Sequence, residues 1–228
     1  MSDENQGLLE IKKAEQKKVV EELIEKSRAT SPYNLLLILS AVITASGILV
    51  GSWAIVIGGM LVTPLLTPIL AIALGITMGN LGFIWRSVKI TLKSIATIIA
   101  ISLIFGFLFP STDPNNELIR EIRFTPLYFI VALASGIAAT FAWTRESISE
   151  ALPGVAVAVS LVPPLSILGI AIGLGDIDLM RDPCSIFIFN FLGIVIGSLV
   201  VFSLMKFYRT REEAKQHIKQ EEKQAQAS

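Results

Sequence analysis

Two short stretches of this chain combine prolines with hydroxyl side chains inside otherwise apolar sequence. One contains Thr63-Pro64 and Thr67-Pro68, and the other contains Pro163-Pro164 between Ser160 and Ser166. A proline inside a helix removes a backbone donor and displaces the carbonyl four residues earlier. Freed carbonyls, hydroxyls and half-helix ends can bind an ion or a polar solute. We therefore predict a binding or permeation site lined by Thr63, Pro64, Thr67, Pro68, Ser160, Pro163, Pro164, Ser166 and Asn190.

The two stretches are copies of each other. A shift of 100 residues lays Leu61–Gly75 over Leu161–Gly175, with about half of the positions identical and no gap. Similarity at a fixed offset is typical of an internal repeat. A lone proline in a membrane helix commonly shapes packing only, and this alternative stays open for both copies.

Composition predicts an integral membrane protein. The 228 residues are 53% hydrophobic and 17% charged, with mean hydropathy +0.67. Charges concentrate before Ser31 and after Met205, which leaves apolar runs of about 17 to 25 residues, each able to span a bilayer as a helix.

Other features of the composition argue against several functions. The formal net charge of zero does not suggest nucleic-acid binding. The single Cys184 excludes an intramolecular disulfide and a cysteine-based metal cluster. The polar first thirty residues indicate no cleavable signal peptide.

We predict an all-α fold of six transmembrane helices between charged ends. Residues 1–31 hold an amphipathic cytoplasmic helix, 32–208 the membrane domain with halves 33–109 and 126–207, and 209–228 a charged tail. The N-terminal helix is expected to be a solvated juxtamembrane element, with self-association or partner binding as the alternative. The six spans cover residues 33–50, 53–78, 90–109, 126–143, 152–174 and 184–207.

The distribution of basic residues supports this count. With a cytoplasmic N-terminus, sixteen of the nineteen Lys and Arg residues lie inside, and only Arg120, Arg123 and Arg181 lie outside. The prediction is therefore an inner-membrane protein with both termini cytoplasmic. Three spans per half is an odd number, so the halves form a 3+3 inverted repeat in which helices 2 and 5 are broken by proline.

Other residues extend the site or anchor the protein. Gly58, Gly59, Gly154 and Gly169 are expected to let helices approach closely. We expect Asn190 to form an interhelical hydrogen bond or, alternatively, to line the pore. A basic face is expected to bind anionic headgroups, or alternatively to form a vestibule that gathers anions; its members are Arg86, Lys89 and Lys93.

No constellation of residues suggests an enzyme. No acidic residue lies deep in a span, which argues against an ordinary proton pump. The single histidine, His217, belongs to the charged tail. We find no nucleophile–base pair, no metal-ligand spacing and no phosphate-binding loop, so no cofactor or metal is expected.

Several motifs resemble those of one family of membrane proteins. The runs 58–70, 132–139, 152–165 and 190–194 are similar to the domain-of-unknown-function 389 family, also called uncharacterised hydrophobic-domain proteins. The resemblance covers about residues 33–207 and implies a prokaryotic integral membrane protein. It supplies no substrate and no catalytic residue.

These observations favour a small transporter or channel-like permease for an unidentified small solute or ion. A homo-oligomer is expected, with a dimer as the default. The alternative is a non-transporting scaffold or sensor that acts through its terminal helices. A permease predicts a polar cavity that reaches the prolines, whereas a scaffold predicts apolar packing there.

Overall fold

The described part of the chain is helical. The computed structural model describes residues 11, 13–110, 123–145 and 160–210, and no strand occurs within them. Gly154 and nearly all of the charged tail therefore lie outside the described residues. The helices are α1 (Lys13–Lys26), α2 (Ser31–Val50), α3 (Trp53–Val62), α4 (Leu66–Met78), α5 (Leu81–Leu108), α6 (Leu127–Thr144), α7 (Val162–Leu174) and α8 (Arg181–Leu204), with 3-10 turns at Asp178–Met180 and Phe207–Thr210.

Four helices in the described part of the chain are long and apolar enough to cross a membrane. They are α2, α5, α6 and α8 together with its preceding turn, and the bent pair of α3 and α4 makes a fifth candidate. The helix α7 has only 13 residues, and the segment 146–159 before it lies outside the described residues. The expected class, an all-helical protein with membrane-type helices, is confirmed.

The helix α5 extends beyond the predicted third span, residues 90–109. It begins at Leu81 and runs for 28 residues. Asn80 fixes this start, because its side chain accepts a hydrogen bond from the backbone N–H of Phe83 at 3.2 Å. The basic residues that marked a predicted boundary are partly or fully exposed on the helix, and so they do not interrupt it.

The helices α4 and α7 have matching lengths and ends. Each has 13 residues and is followed by a glycine in the left-handed region, Gly79 with φ 62° and Gly175 with φ 72°. In each, the next residue donates its backbone N–H to a carbonyl five residues earlier at 3.0 Å. The structural match between the two helices has an offset of 96 residues, both at their first residues, 66 and 162, and at their capping glycines. The match of the two sequences has an offset of 100 residues. Because four residues make about one turn, both alignments keep the same helix face.

Glycines bring two pairs of parallel helices into close contact. A methyl group at Gly169 would lie 2.5 Å from the carbonyl O of Ile99, and Gly173 lies one turn further along beside Leu103. The contacts of α8 with α6 follow the same pattern, since Gly193 and Gly197 approach Leu133 from successive turns. The small-xxx-small spacing typical of membrane helices lies at both contacts, as Gly169-Ile-Ala-Ile-Gly173 and Gly193-Ile-Val-Ile-Gly197.

The N-terminal helix α1 packs against the bundle. Its apolar face is buried by α4, α6 and the Phe207–Thr210 turn, and Leu23 and Ile24 are each 0% exposed. Gln16 Nε2 donates to the carbonyl O of Met205 at 2.7 Å, which joins α1 to the end of α8. The expected solvated helix is therefore solvated on one face only, because its apolar stripe finds a partner within the same chain.

Candidate functional site

The first Thr-Pro stretch separates two helices. The helix α3 ends at Val62, α4 begins at Leu66, and their axes differ by 51°. The hydroxyl of Thr67 lies 2.9 Å from the carbonyl O of Pro64 and 3.2 Å from that of Lys26. The backbone N–H of Thr67 also donates to Pro64 O at 3.3 Å. Thr67 therefore satisfies the Pro64 carbonyl and connects the interruption to the end of α1.

The second stretch stands at the start of α7. Ser160 has φ 44°, a left-handed conformation that is uncommon for a residue with a side chain. Pro163 and Pro164 follow in the first turn of α7, where the absent N–H leaves no intrahelical bond unmade. The amide of Asn190, which is 2% exposed, donates from Nδ2 to the carbonyl O of Ser160 at 3.2 Å. Two predicted site residues that are 30 positions apart are thus in direct contact.

The break between α3 and α4 and the start of α7 both lie beside α5. Gly75 of α4 approaches Ile84, and because α4 and α5 are antiparallel, counting back from this contact brings Leu65 level with Ser94. Gly169 of α7 approaches Ser102, and the parallel count brings Val162 to the same level. Leu65, Val162 and Ile98 belong to one buried apolar cluster. The break and the start of α7 therefore lie near the middle of α5.

The buried face of α5 carries a row of hydroxyls, which we call the hydroxyl stripe: Ser87, Thr91, Ser94 and Ser102. Each of these residues is at most 2% exposed. Ser94 Oγ lies 2.8 Å from the hydroxyl of Tyr33 in α2. Sequence inspection missed this stripe, although the spacing of its hydroxyl residues, four, three and eight positions within an apolar run, is visible in the sequence.

Several buried hydroxyls near the interruptions have no hydrogen-bond partner among the described residues. They include Thr63 Oγ1 and Ser166 Oγ, one from each predicted stretch, and Ser102 Oγ of the hydroxyl stripe. Ser166 lies three residues before Gly169, so both occupy the α7 face that meets α5. Buried polar groups are usually paired, and an unpaired hydroxyl is therefore available to a solute or water.

The site is polar without being charged. Every buried polar side chain in the described ranges carries a hydroxyl or an amide, and none is a carboxylate, an imidazole, an ammonium or a guanidinium group. The same ranges contain no cluster of three His, Cys, Asp or Glu residues that could hold a metal ion. Hydroxyls, an amide and backbone carbonyls can donate to and accept from a neutral polar molecule, but they provide no countercharge for a multivalent ion.

The other predicted residues have different surroundings. Gly59 closely approaches α2, where the Ser40 hydroxyl donates to its carbonyl O at 2.7 Å. Gly58 has no described atom within 4 Å of the position that a Cβ would occupy. Lys89 and Lys93 are exposed, and Arg86 is half-buried, so the basic face does not line the interruptions.

Comparison with known proteins identifies the family. The profile of the family described as "Domain of unknown function (DUF389)" matches residues 60–196, which is more than half of the chain. This chain belongs to the DUF389 family. The matched range begins just before the break between α3 and α4 and continues past Asn190, so the family region contains both proline stretches.

One relative is an uncharacterized protein of Methanocaldococcus jannaschii. It is 31% identical over 169 residues, which are 74% of this DUF389 chain and 52% of the relative. The chain thus spans about half the length of this relative. No solved structure matches the chain.

Proposed function

We propose that this protein is a small permease whose solute passes between the two interrupted segments. The observation that carries the proposal is the position of the α3–α4 break and the start of α7 at the same level of α5. Each stretch contributes one buried hydroxyl, Thr63 Oγ1 and Ser166 Oγ, that has no hydrogen-bond partner among the described residues. In a membrane, irregular backbone persists where protein or a water-filled cavity satisfies it. The absence of buried charge in the described ranges favours an uncharged, hydrogen-bonding solute over an ion.

The proposed architecture is the six-span 3+3 inverted repeat. The matching ends of α4 and α7 support the repeat, and the parallel pairs α5–α7 and α6–α8 agree with spans that alternate in direction. In this arrangement the fifth span is the predicted one, residues 152–174, and helices 2 and 5 are the broken ones. We also propose that both termini are cytoplasmic, that the membrane is the inner membrane and that two copies form the working unit.

The alternative function is a scaffold or sensor that acts through the terminal helices and has no catalytic or transport activity. It requires an available binding face on α1. The apolar face of α1 is buried within the chain, which supports the permease instead. The burial of Pro163 and Pro164 is the observation that favours the alternative, because it is apolar packing at the predicted site.

Solute flux into proteoliposomes tests the proposal. Stopped-flow light scattering with glycerol, erythritol and urea measures neutral solutes, and 86Rb⁺ uptake measures a monovalent cation. We expect protein-dependent flux of a neutral solute that changes in the Pro64→Ala and Pro164→Ala variants. Pro110→Ala is the matched control, because Pro110 is exposed just beyond the end of α5, 16 residues from Ser94 and away from both stretches.

Unchanged flux in both site variants would contradict the assignment of the site. Absence of protein-dependent flux for every probe would contradict the permease itself. Circular dichroism and gel filtration of each variant in detergent separate loss of flux from loss of fold.

A further inference from the structure

A second surface of α5 carries a different chemistry from the hydroxyl stripe. On the exposed side of its first half lie Trp85, Lys89 and Lys93, with Leu81 and Leu92 beside them. Lys89 Nζ lies 5.4 Å from the centroid of the Trp85 ring, a cation–π distance. No Asp or Glu occurs between Leu81 and Leu108. We call the set Trp85, Lys89 and Lys93 the basic aromatic patch.

The length of α5 indicates where this patch meets the membrane. A hydrocarbon core of about 30 Å takes about 20 helical residues, which counted back from Leu108 ends at Lys89. The hydrogen bond between Tyr33 and Ser94 also indicates that the first half of α5 lies toward the membrane surface. It places the start of α2 beside Ser94, so residues 81–93 of α5 extend beyond the start of α2. Trp85 then lies at the depth of the lipid headgroups, and Lys93 can extend its ammonium toward them.

We infer that the basic aromatic patch binds the phosphate of an anionic phospholipid. The two ammonium groups provide charge complementarity, the indole occupies the membrane interface, and the exposed leucines contact the acyl chains. This site is independent of the proposed permease, since it lies on the side of α5 away from the interruptions. Arg86 is not required, because it is half-buried and has its own interaction within the chain.

Quenching of Trp85 fluorescence by brominated lipids tests this inference. The Trp53→Phe/Trp143→Phe variant retains Trp85 as its single tryptophan. In mixed bilayers, brominated phosphatidylglycerol should quench it more strongly than brominated phosphatidylcholine at equal mole fraction, with a preference on the order of ten-fold in the fitted binding constants. Lys89→Gln/Lys93→Gln should remove most of this preference.

Lys13→Gln/Lys17→Gln is the matched control, because it removes the same charge from the exposed face of α1. Equal quenching by the two lipids, or a preference that survives Lys89→Gln/Lys93→Gln, would overturn the inference. An acidic protein as the true partner would also produce equal quenching. If the tryptophan variant does not fold, retention of phosphatidylglycerol by the otherwise native chain in native mass spectrometry decides the question with the same lysine pairs.

Discussion

The amide of Asn190 donates to the carbonyl oxygen of Ser160 across 3.2 Å, so the middle of α8 is connected to the residue that leads into α7. This bond satisfies a backbone carbonyl at a position where the chain is left-handed and cannot supply its own helical partner. It also gives a direct reason for a polar residue within an apolar helix.

Replacement of Asn190 should therefore destabilise the protein. Asn190→Leu has a similar volume but leaves Ser160 O without this donor, which should cost about 1–3 kcal/mol. Asn190→Asp should cost more, because it introduces a carboxylate at a position that is 2% exposed. Thermal unfolding in detergent measures both variants, and Asn190→Leu as stable as the wild type would contradict the role of the bond.

Gly169 and Gly58 were both predicted to let helices approach closely, but their replacement by alanine should change the stability of the protein in different ways. A Cβ at Gly169 would lie 2.5 Å from Ile99 O and 2.7 Å from Ser102 Cβ, so Gly169→Ala should separate α7 from α5 at a cost of about 1–3 kcal/mol. Gly58→Ala is the matched control. Nothing described lies within 4 Å of its Cβ position, so the variant should be neutral or more stable by up to about 1 kcal/mol. Equal unfolding temperatures would contradict the close packing of α7 on α5.

Replacement of Ser166 by alanine tests whether its hydroxyl, which has no described partner, has a functional or a structural role. Ser166→Ala removes a fully buried oxygen that has no described partner, so stability should stay the same or rise. If that hydroxyl contacts the solute, flux in proteoliposomes should fall several-fold. Ser40→Ala is the comparison, since it removes a 2.7 Å bond to Gly59 O and should lower stability by about 1 kcal/mol. Unchanged flux in a folded Ser166→Ala variant would remove Ser166 from the solute path.

The docking of α1 predicts slow amide hydrogen exchange in residues 13–26. Leu23→Glu inserts a charge at a position that is 0% exposed, which should release the helix from α4 and accelerate exchange throughout α1. Glu25→Gln, on the exposed face, should leave the exchange rates unchanged. Rapid exchange of α1 in the wild-type protein would show instead that the helix is detached in solution.

Labelling of the single cysteine tests the proposed topology. Cys184 is exposed in the first turn of α8, on the side opposite to α1. A membrane-impermeant maleimide should label it in intact spheroplasts, whereas Lys13→Cys in a Cys184→Ser background should be labelled only after permeabilisation. The reverse pattern would invert the assigned orientation.

The helix ends beside the prolines follow from the sequence, because proline and glycine act locally. The end of α3 at Val62, the start of α7 at Val162 and the glycine caps after α4 and α7 follow from backbone geometry that neighbouring residues set. The span predicted from residue 90 lies within the longer helix α5, which begins at Leu81 and exposes its lysines on one face. The spacing of the hydroxyl stripe is visible in the sequence, but only the structure shows that these side chains lie on the buried face of α5.

The amino-acid sequence by itself determined the class of protein, the family and the apolar helices, since chain length, hydropathy and proline content act over a few turns of helix. Tertiary structure alone decided which faces meet. The contacts of Gln16 with Met205, Tyr33 with Ser94 and Asn190 with Ser160 join residues 30 to 189 positions apart. Many apolar faces could pair equally well by hydrophobicity, and only the close approach of glycines and the hydrogen bonds of a few buried polar groups select one arrangement.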